Sequence, residues 1–115
     1  MQKAHSEIAA KLEQELRRGV LMLAVLSQLK RPQYGYSLRQ LLGQKGMAIE
    51  EGTLYPLLRR MEEQGLLQSE WRIEDGPPRR YYKRSALGER VFGDLGASWL
   101  GLVDTVKTLM EADAP

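Results

Sequence analysis

The chain has 115 residues, 43% apolar and 28% charged, which is one domain of ordinary globular composition and excludes disorder along its whole length. Net charge is +2, cysteine is absent, and the single histidine, His5, stands in a segment expected to fray. Disulfide scaffolds, thiolate zinc sites, cysteine nucleophiles and histidine acid–base centres therefore have no candidates, and neither a metal nor another cofactor is expected.

No run of about 18 apolar residues exists to cross a membrane. Charges recur from the start, at Lys3, Glu7, Lys11, Glu13, Glu15, Arg17 and Arg18, so no signal peptide is expected and a cytoplasmic location is. Charge is also unevenly spread. Residues 1–90 carry 16 Lys and Arg against 11 Asp and Glu, a balance of +5. Residues 91–115 carry Lys107 against Asp94, Asp104, Glu111 and Asp113, a balance of −3. A basic body suits a polyanionic partner, and the mildly acidic end suits another role.

In chain order, the first helical segment is expected from Glu7 to Leu29. Ile8, Leu12 and Leu16 recur at four-residue spacing, and Val20 to Leu29 is nearly continuously apolar. Its first half should leave the domain body and its second half should enter the core. Pro32 and Gly35 end it. A short second helix, Ser37 to Lys45, sets Leu38, Leu41 and Leu42 on one face, and Gly46 stops it. A third, Glu51 to Gln64, carries Leu54, Leu57, Leu58 and Met61 at helical spacing before Gly65. Pro56 lies in its early turns, where a missing N–H is tolerated.

The rhythm then changes to that of strands. Leu67, Ser69, Trp71 and Ile73 share one side of the segment Leu66–Ile73, Glu74 to Pro78 is a turn by composition, and Arg79 to Arg84 returns. A helix-turn-helix followed by a hairpin is a winged helix, so the expected fold is mainly α with a small β-hairpin. The last helix, Ser85 to Glu111, would be ~40 Å long. Phe92, Leu95, Trp99, Leu102, Val106 and Leu109 follow a 3-4-3-4-3 spacing, a heptad seam widened by Val91, Leu100, Val103 and Met110. A domain of this size cannot cover such a seam, so a partner helix is predicted, most simply from a second copy of the chain. The division is residues 1–84, a winged helix-turn-helix with an N-terminal helical extension, and residues 85–115, a C-terminal dimerisation helix.

Gly35-Tyr36-Ser37-Leu38, the run Gly52-Thr53-Leu54-Tyr55-Pro56-Leu57-Leu58-Arg59-Arg60-Met61-Glu62, then Gly65-Leu66-Leu67 and Trp71 resemble the PadR family of bacterial transcriptional regulators. Pro77-Pro78-Arg79-Arg80-Tyr81-Tyr82 resembles that family's wing, and the likeness covers residues 20–90. The single helix after the wing resembles the short branch of the family. One departure is local: Arg84-Ser85-Ala86-Leu87-Gly88 stands where the family commonly has Leu-Thr-x-x-Gly. Ser85 still suits a helix cap. The resemblance implies a homodimer that binds double-stranded DNA, with repression as the usual mode.

The third helix is the candidate reader of the ~12 Å major groove, into which a helix fits with its N-terminal residues at the base edges. Thr53 suits a phosphate or a thymine methyl, or else serves as a cap. Tyr55 suits backbone or base edge, or else packs half-buried on the second helix. Arg59 suits phosphate or guanine, and Arg60 points about 100° away from it. At the wing, at least one of Arg79 and Arg80 should touch DNA. Which one stays open, because neighbouring strand residues face opposite ways, and Tyr81 and Tyr82 split for the same reason. Tyr36 suits a phosphate or packing, and Lys30, Arg31 and Arg39 are lesser phosphate candidates.

Trp99, mid-seam, has two readings. It is a dimer-core aromatic, or two symmetry-related Trp99 rings flank an opening for a planar hydrophobic effector. Gly96 and Gly101 remove volume beside it, Leu95, Leu102 and Val106 line the same interface, and Asp104 would pair with a cationic ligand. The second reading is similar to some short-branch members, which have a tryptophan on the C-terminal helix in a drug-binding pore between protomers. A protein–protein adaptor is the alternative function. An enzyme finds no glycine-rich phosphate loop or paired carboxylates to work with.

Overall fold

A computed structural model describes residues 2–112. Its elements are α1 (Gln2–Ser27), β1 (Gln33–Tyr34), α2 (Gly35–Gln44), α3 (Glu51–Glu63), β2 (Leu67–Arg72), β3 (Arg79–Arg84) and α4 (Ala86–Ala112). The winged-helix expectation holds, with one difference at the start of α1 and another in the sheet. Helix α1 starts at Gln2 rather than Glu7, so His5 is helical, because residues 2–7 contain no glycine or proline to stop it. The hairpin gains a third strand, and the antiparallel sheet runs β1-β3-β2. Two residues are too short to show a period. Gln33 and Tyr34 become a strand only because Tyr82 and Tyr81 stand opposite them.

The core forms where three helical faces meet the base of the wing. Val25, Leu26 and Leu29 close against Leu38 and Leu42 of α2, Leu54, Leu57, Leu58 and Met61 of α3, and Leu66, Leu67 and Tyr82. Both inner helices end on a glycine in the left-handed region. Gly65, at φ 82°, lets the Leu66 N–H reach the Met61 carbonyl at 2.9 Å and its own N–H reach Glu62 at 2.9 Å. That paired closure turns the chain sharply and sends β2 back beside α3.

Arg84, the local departure from the family pattern, is buried at 8% exposure. Its guanidinium donates to the Leu26 carbonyl at 3.2 Å and to Glu89 at 2.9 Å, and lies 4.4 Å over the Phe92 ring. One side chain thus ties the end of α1, the end of β3 and the start of α4. Ser85 caps α4, its Oγ accepting the Gly88 N–H at 2.9 Å. Gly88 has no room for a side chain, since a Cβ there would overlap the Leu66 carbonyl.

The expected burial along β2 is cut short. Leu67 is buried and Ser69 half-buried, but Trp71 is 64% and Ile73 78% exposed, the outer hairpin standing clear of the core cluster. The heptad seam of α4 divides likewise. Val91, Phe92 and Leu95 pack on the core, whereas Leu100, Leu102, Val106, Leu109 and Met110 are exposed. Ile8, Leu12 and Leu16 of α1 are exposed as well. With both helices running past the body, the molecule extends 59 × 35 × 24 Å with a radius of gyration of 17.2 Å. A compact chain of this length would have about 13 Å.

Candidate nucleic-acid interface

Helices α2 and α3 form the helix-turn-helix, and the turn between them is pinned by Arg39. Its Nε donates to the Ile49 carbonyl at 3.1 Å, and its guanidinium pairs with Glu51 at 3.2 Å. Glu51 in the first turn of α3 also suits the positive end of the helix dipole. Arg39, a lesser phosphate candidate from the sequence, therefore has a structural task. Lys30 and Arg31 are exposed beyond the end of α1.

A cleft of about 440 Å³ opens between α3, the start of α2 and the wing, lined by Tyr34, Gly35, Tyr36, Tyr55, Leu58, Arg59, Trp71, Arg79, Arg80 and Tyr82. Five expected residues thus meet: Tyr36, Tyr55, Arg59, Arg79 and Arg80. Tyr55 is half-buried, as its packing reading expects. Its ring lies against Gly35, where a Cβ would overlap it, and it also walls the cleft. Gly35 is needed for that close approach rather than for a turn. Arg59 is exposed and has no carboxylate within 4.0 Å among the described residues.

Thr53 does not join them. It stands two residues before Tyr55, about 200° around the helix, and faces a groove with Leu57 and Arg60. The cap reading for it fails too, because the N-cap position of α3 is Glu50. Arg60 shares that other side, as the spacing predicts.

The wing arginines differ sharply. Arg79 is exposed, with its guanidinium 4.6 Å over the Tyr34 ring, and Tyr34 in turn packs on Tyr36 and Tyr81. Arg80 turns inward. It donates from Nη2 to Glu62 at 2.6 Å and from Nε to Ser69 Oγ at 3.0 Å, and Ser69 Oγ donates to the other Glu62 oxygen at 2.6 Å. Tyr82 is buried behind this network, and burial pushes its phenol above the ordinary 10.0, with Arg80 pulling against that and Glu62 adding to it. Tyr81 is half-buried on the outer face of the sheet, with Arg72 4.3 Å over its ring.

Sequence reasoning missed Glu62 and Ser69. Glu62 and Arg80 are 18 residues apart, and no local period links them.

A second groove, about 840 Å³, lies between α1, α3 and α4, lined by Leu95, Trp99 and Leu102 together with Arg18, Leu21, Thr53, Leu57 and Arg60. Trp99 is 42% exposed there. Asp104 and Val106 lie further along α4 and do not line it. Among the described residues no group of three or more His, Asp and Glu side chains is placed to hold a metal, and no helix is long and apolar enough to cross a membrane.

Comparison with known proteins agrees with this architecture. Transcriptional regulator Rv3488 of Mycobacterium tuberculosis is 46% identical over 55 residues, which are 48% of this chain and 51% of that protein. The matched segment thus spans about half of that relative's length. A PadR family regulator from Eggerthella lenta superposes with a TM-score of 0.91 at 46% identity, over 96% of this chain and 99% of that one. A PadR-like regulator from Bacillus cereus gives 0.75 at 30% identity, over 84% and 96%. The family model described as the transcriptional regulator PadR-like family matches residues 22–94, the whole winged body. The chain belongs to the PadR-like family of transcriptional regulators.

Proposed function

We propose that the protein is a homodimeric repressor that binds double-stranded DNA at a pseudo-palindromic site in the cytoplasm. The observation that carries this reading is the cleft joining Tyr55 and Arg59 of α3 to Tyr36 and Arg79. Seated in the major groove, α3 presents Tyr55 and Arg59 towards base edges and backbone, while Arg79 meets the flanking phosphates. The exposed seam of α4 and the apolar row Ile8, Leu12 and Leu16 of α1 favour a second copy as the partner, since an unpaired apolar surface of that length is costly in water. Two recognition helices then read half-sites about 34 Å apart.

The groove beside Trp99 suits a planar hydrophobic effector. Its walls include Thr53 and Arg60 of the recognition helix, so an occupant would act on the spacing of the two readers. Asp104 and Val106 belong to the exposed part of α4, where they suit the partner surface better than the groove. The test is binding of the purified protein to labelled DNA from its own upstream region, titrated with salt and with unrelated competitor. Tight, competitor-resistant binding with a steep salt slope, lost in Tyr55→Ala and Arg59→Ala, is expected. Weak binding indifferent to sequence and to both substitutions would favour the protein–protein adaptor instead. Quenching of tryptophan fluorescence by planar hydrophobic compounds, abolished in Trp99→Ala, tests the effector groove.

A further inference from the structure

We propose that the Glu62–Arg80–Ser69 ring is a positioning device that sets the recognition helix against the wing, and that Arg79 alone of the wing pair is a phosphate-binding cation. This rests on the DNA-binding reading and assigns separate roles to two adjacent arginines within it.

Three observations carry the inference. First, the hydrogen bonds close on themselves. Arg80 donates to Glu62 at 2.6 Å and to Ser69 at 3.0 Å, and Ser69 donates to Glu62 at 2.6 Å. Each partner comes from a different element, Glu62 from the last turn of α3, Ser69 from β2 and Arg80 from β3. Second, the pair is sheltered, with side chains 36% and 28% exposed, and the Tyr82 and Trp71 rings lie 5.4 and 5.9 Å from the guanidinium. A charge-assisted bond in such a place is short and directional. Third, Arg79 has none of this. It is exposed, has no carboxylate within 4.0 Å among the described residues, and rests on Tyr34 at the lip of the cleft.

The consequence for DNA is a matter of counterions. A free guanidinium that meets a phosphate displaces one condensed cation, and each such contact steepens the salt dependence by about 0.9. A guanidinium already matched by a carboxylate displaces none. Arg80 therefore adds to sequence preference, by fixing where α3 and the wing grip the duplex, without adding to the salt slope. Arg79 does the reverse.

The experiment uses the full chain and two probes, a duplex enriched from a random pool by the wild-type protein and a scrambled duplex of equal composition. Fluorescence anisotropy across a potassium chloride series reads slope and preference together. Arg79→Gln should flatten the slope by about 0.9 per protomer on both probes. Arg80→Gln should leave the slope unchanged and reduce the preference for the enriched duplex about tenfold, the scale of one lost base contact. Glu62→Gln should also reduce the preference, but should steepen the slope by releasing Arg80. The charge-swapped pair E62R/R80E should recover the preference, which general loss of stability would not allow. If Arg80→Gln does not fold, Arg80→Lys keeps the charge on Glu62, lacks the fork that reaches Ser69, and should lose preference at constant slope. A slope flattened equally by Arg79→Gln and Arg80→Gln overturns the inference, as does an undiminished preference in Arg80→Gln and Glu62→Gln. If the wild-type protein enriches no duplex, the DNA-binding reading itself fails and the inference falls with it.

Discussion

The winged body and the two helical arms that run out of it use the same apolar residues at the same helical spacing, and only the body finds them a partner within the chain. In α3, Leu54, Leu57, Leu58 and Met61 are buried by α1, α2 and the wing base. In α4, Leu102, Val106 and Leu109 repeat every third or fourth residue and stay exposed, as do Ile8, Leu12 and Leu16 in α1. Periodicity states which face of a helix is apolar, but says nothing of what covers it. The body is a completed fold, whereas the arms leave their apolar faces exposed.

The difference is measurable. The largest effect should come from the body: Leu54→Ala should cost roughly 2–5 kcal/mol of unfolding free energy, the range for emptying a packed leucine site, read by urea denaturation. Leu109→Ala, studied where the chain is dilute and monomeric, should change stability by no more than about 0.5 kcal/mol. Equal losses at the two leucines would break the contrast between body and arms. Next, Gly35→Val should cost about 1–3 kcal/mol through overpacking against Tyr55. It should also weaken DNA binding by moving that ring, a loss that Tyr55→Ala would share. Ser85→Ala, at the junction of body and arm, should cost about 1 kcal/mol through loss of the α4 cap. Paired carboxylates on the arm, Val106→Glu with Leu109→Glu, should abolish the proposed dimer in sedimentation while leaving the helical circular dichroism of the body in place. The thermal midpoint of the wild type should rise with protein concentration and that of the paired variant should not.

The smallest effect concerns pH. Burial raises the Tyr82 phenol above 10.0 in the folded chain, so the unfolded chain ionises first. Stability should be unaffected by this group below about pH 10 and should fall as pH rises beyond it. Tyr82→Phe should flatten that alkaline limb.

Much of this was legible in the residues themselves. Helix ends at Gly46 and Gly65, the Ser85 cap and the β3 strand all follow from local chemistry, and α3 follows from four apolar residues on one face. The cleft was legible as a set of residues, Tyr36, Tyr55, Arg59 and the wing arginines, since HTH geometry brings those segments together. Thr53 was grouped with them by its nearness in sequence, whereas helical rotation carries it to the other groove. Arg84, in a place where an apolar residue is usual, gave no sign of its task, because Leu26, Glu89 and Phe92 reach it from two other elements.

By itself the sequence determined the elements and their apolar faces, because propensity, capping and periodicity act within a few residues. Only the tertiary structure decided which of two neighbouring arginines is free and which is held. That choice depends on the Gly65 turn and the β2–β3 register bringing Glu62 and Ser69 within hydrogen-bond distance of Arg80, and such distances are set by packing between segments remote in the chain.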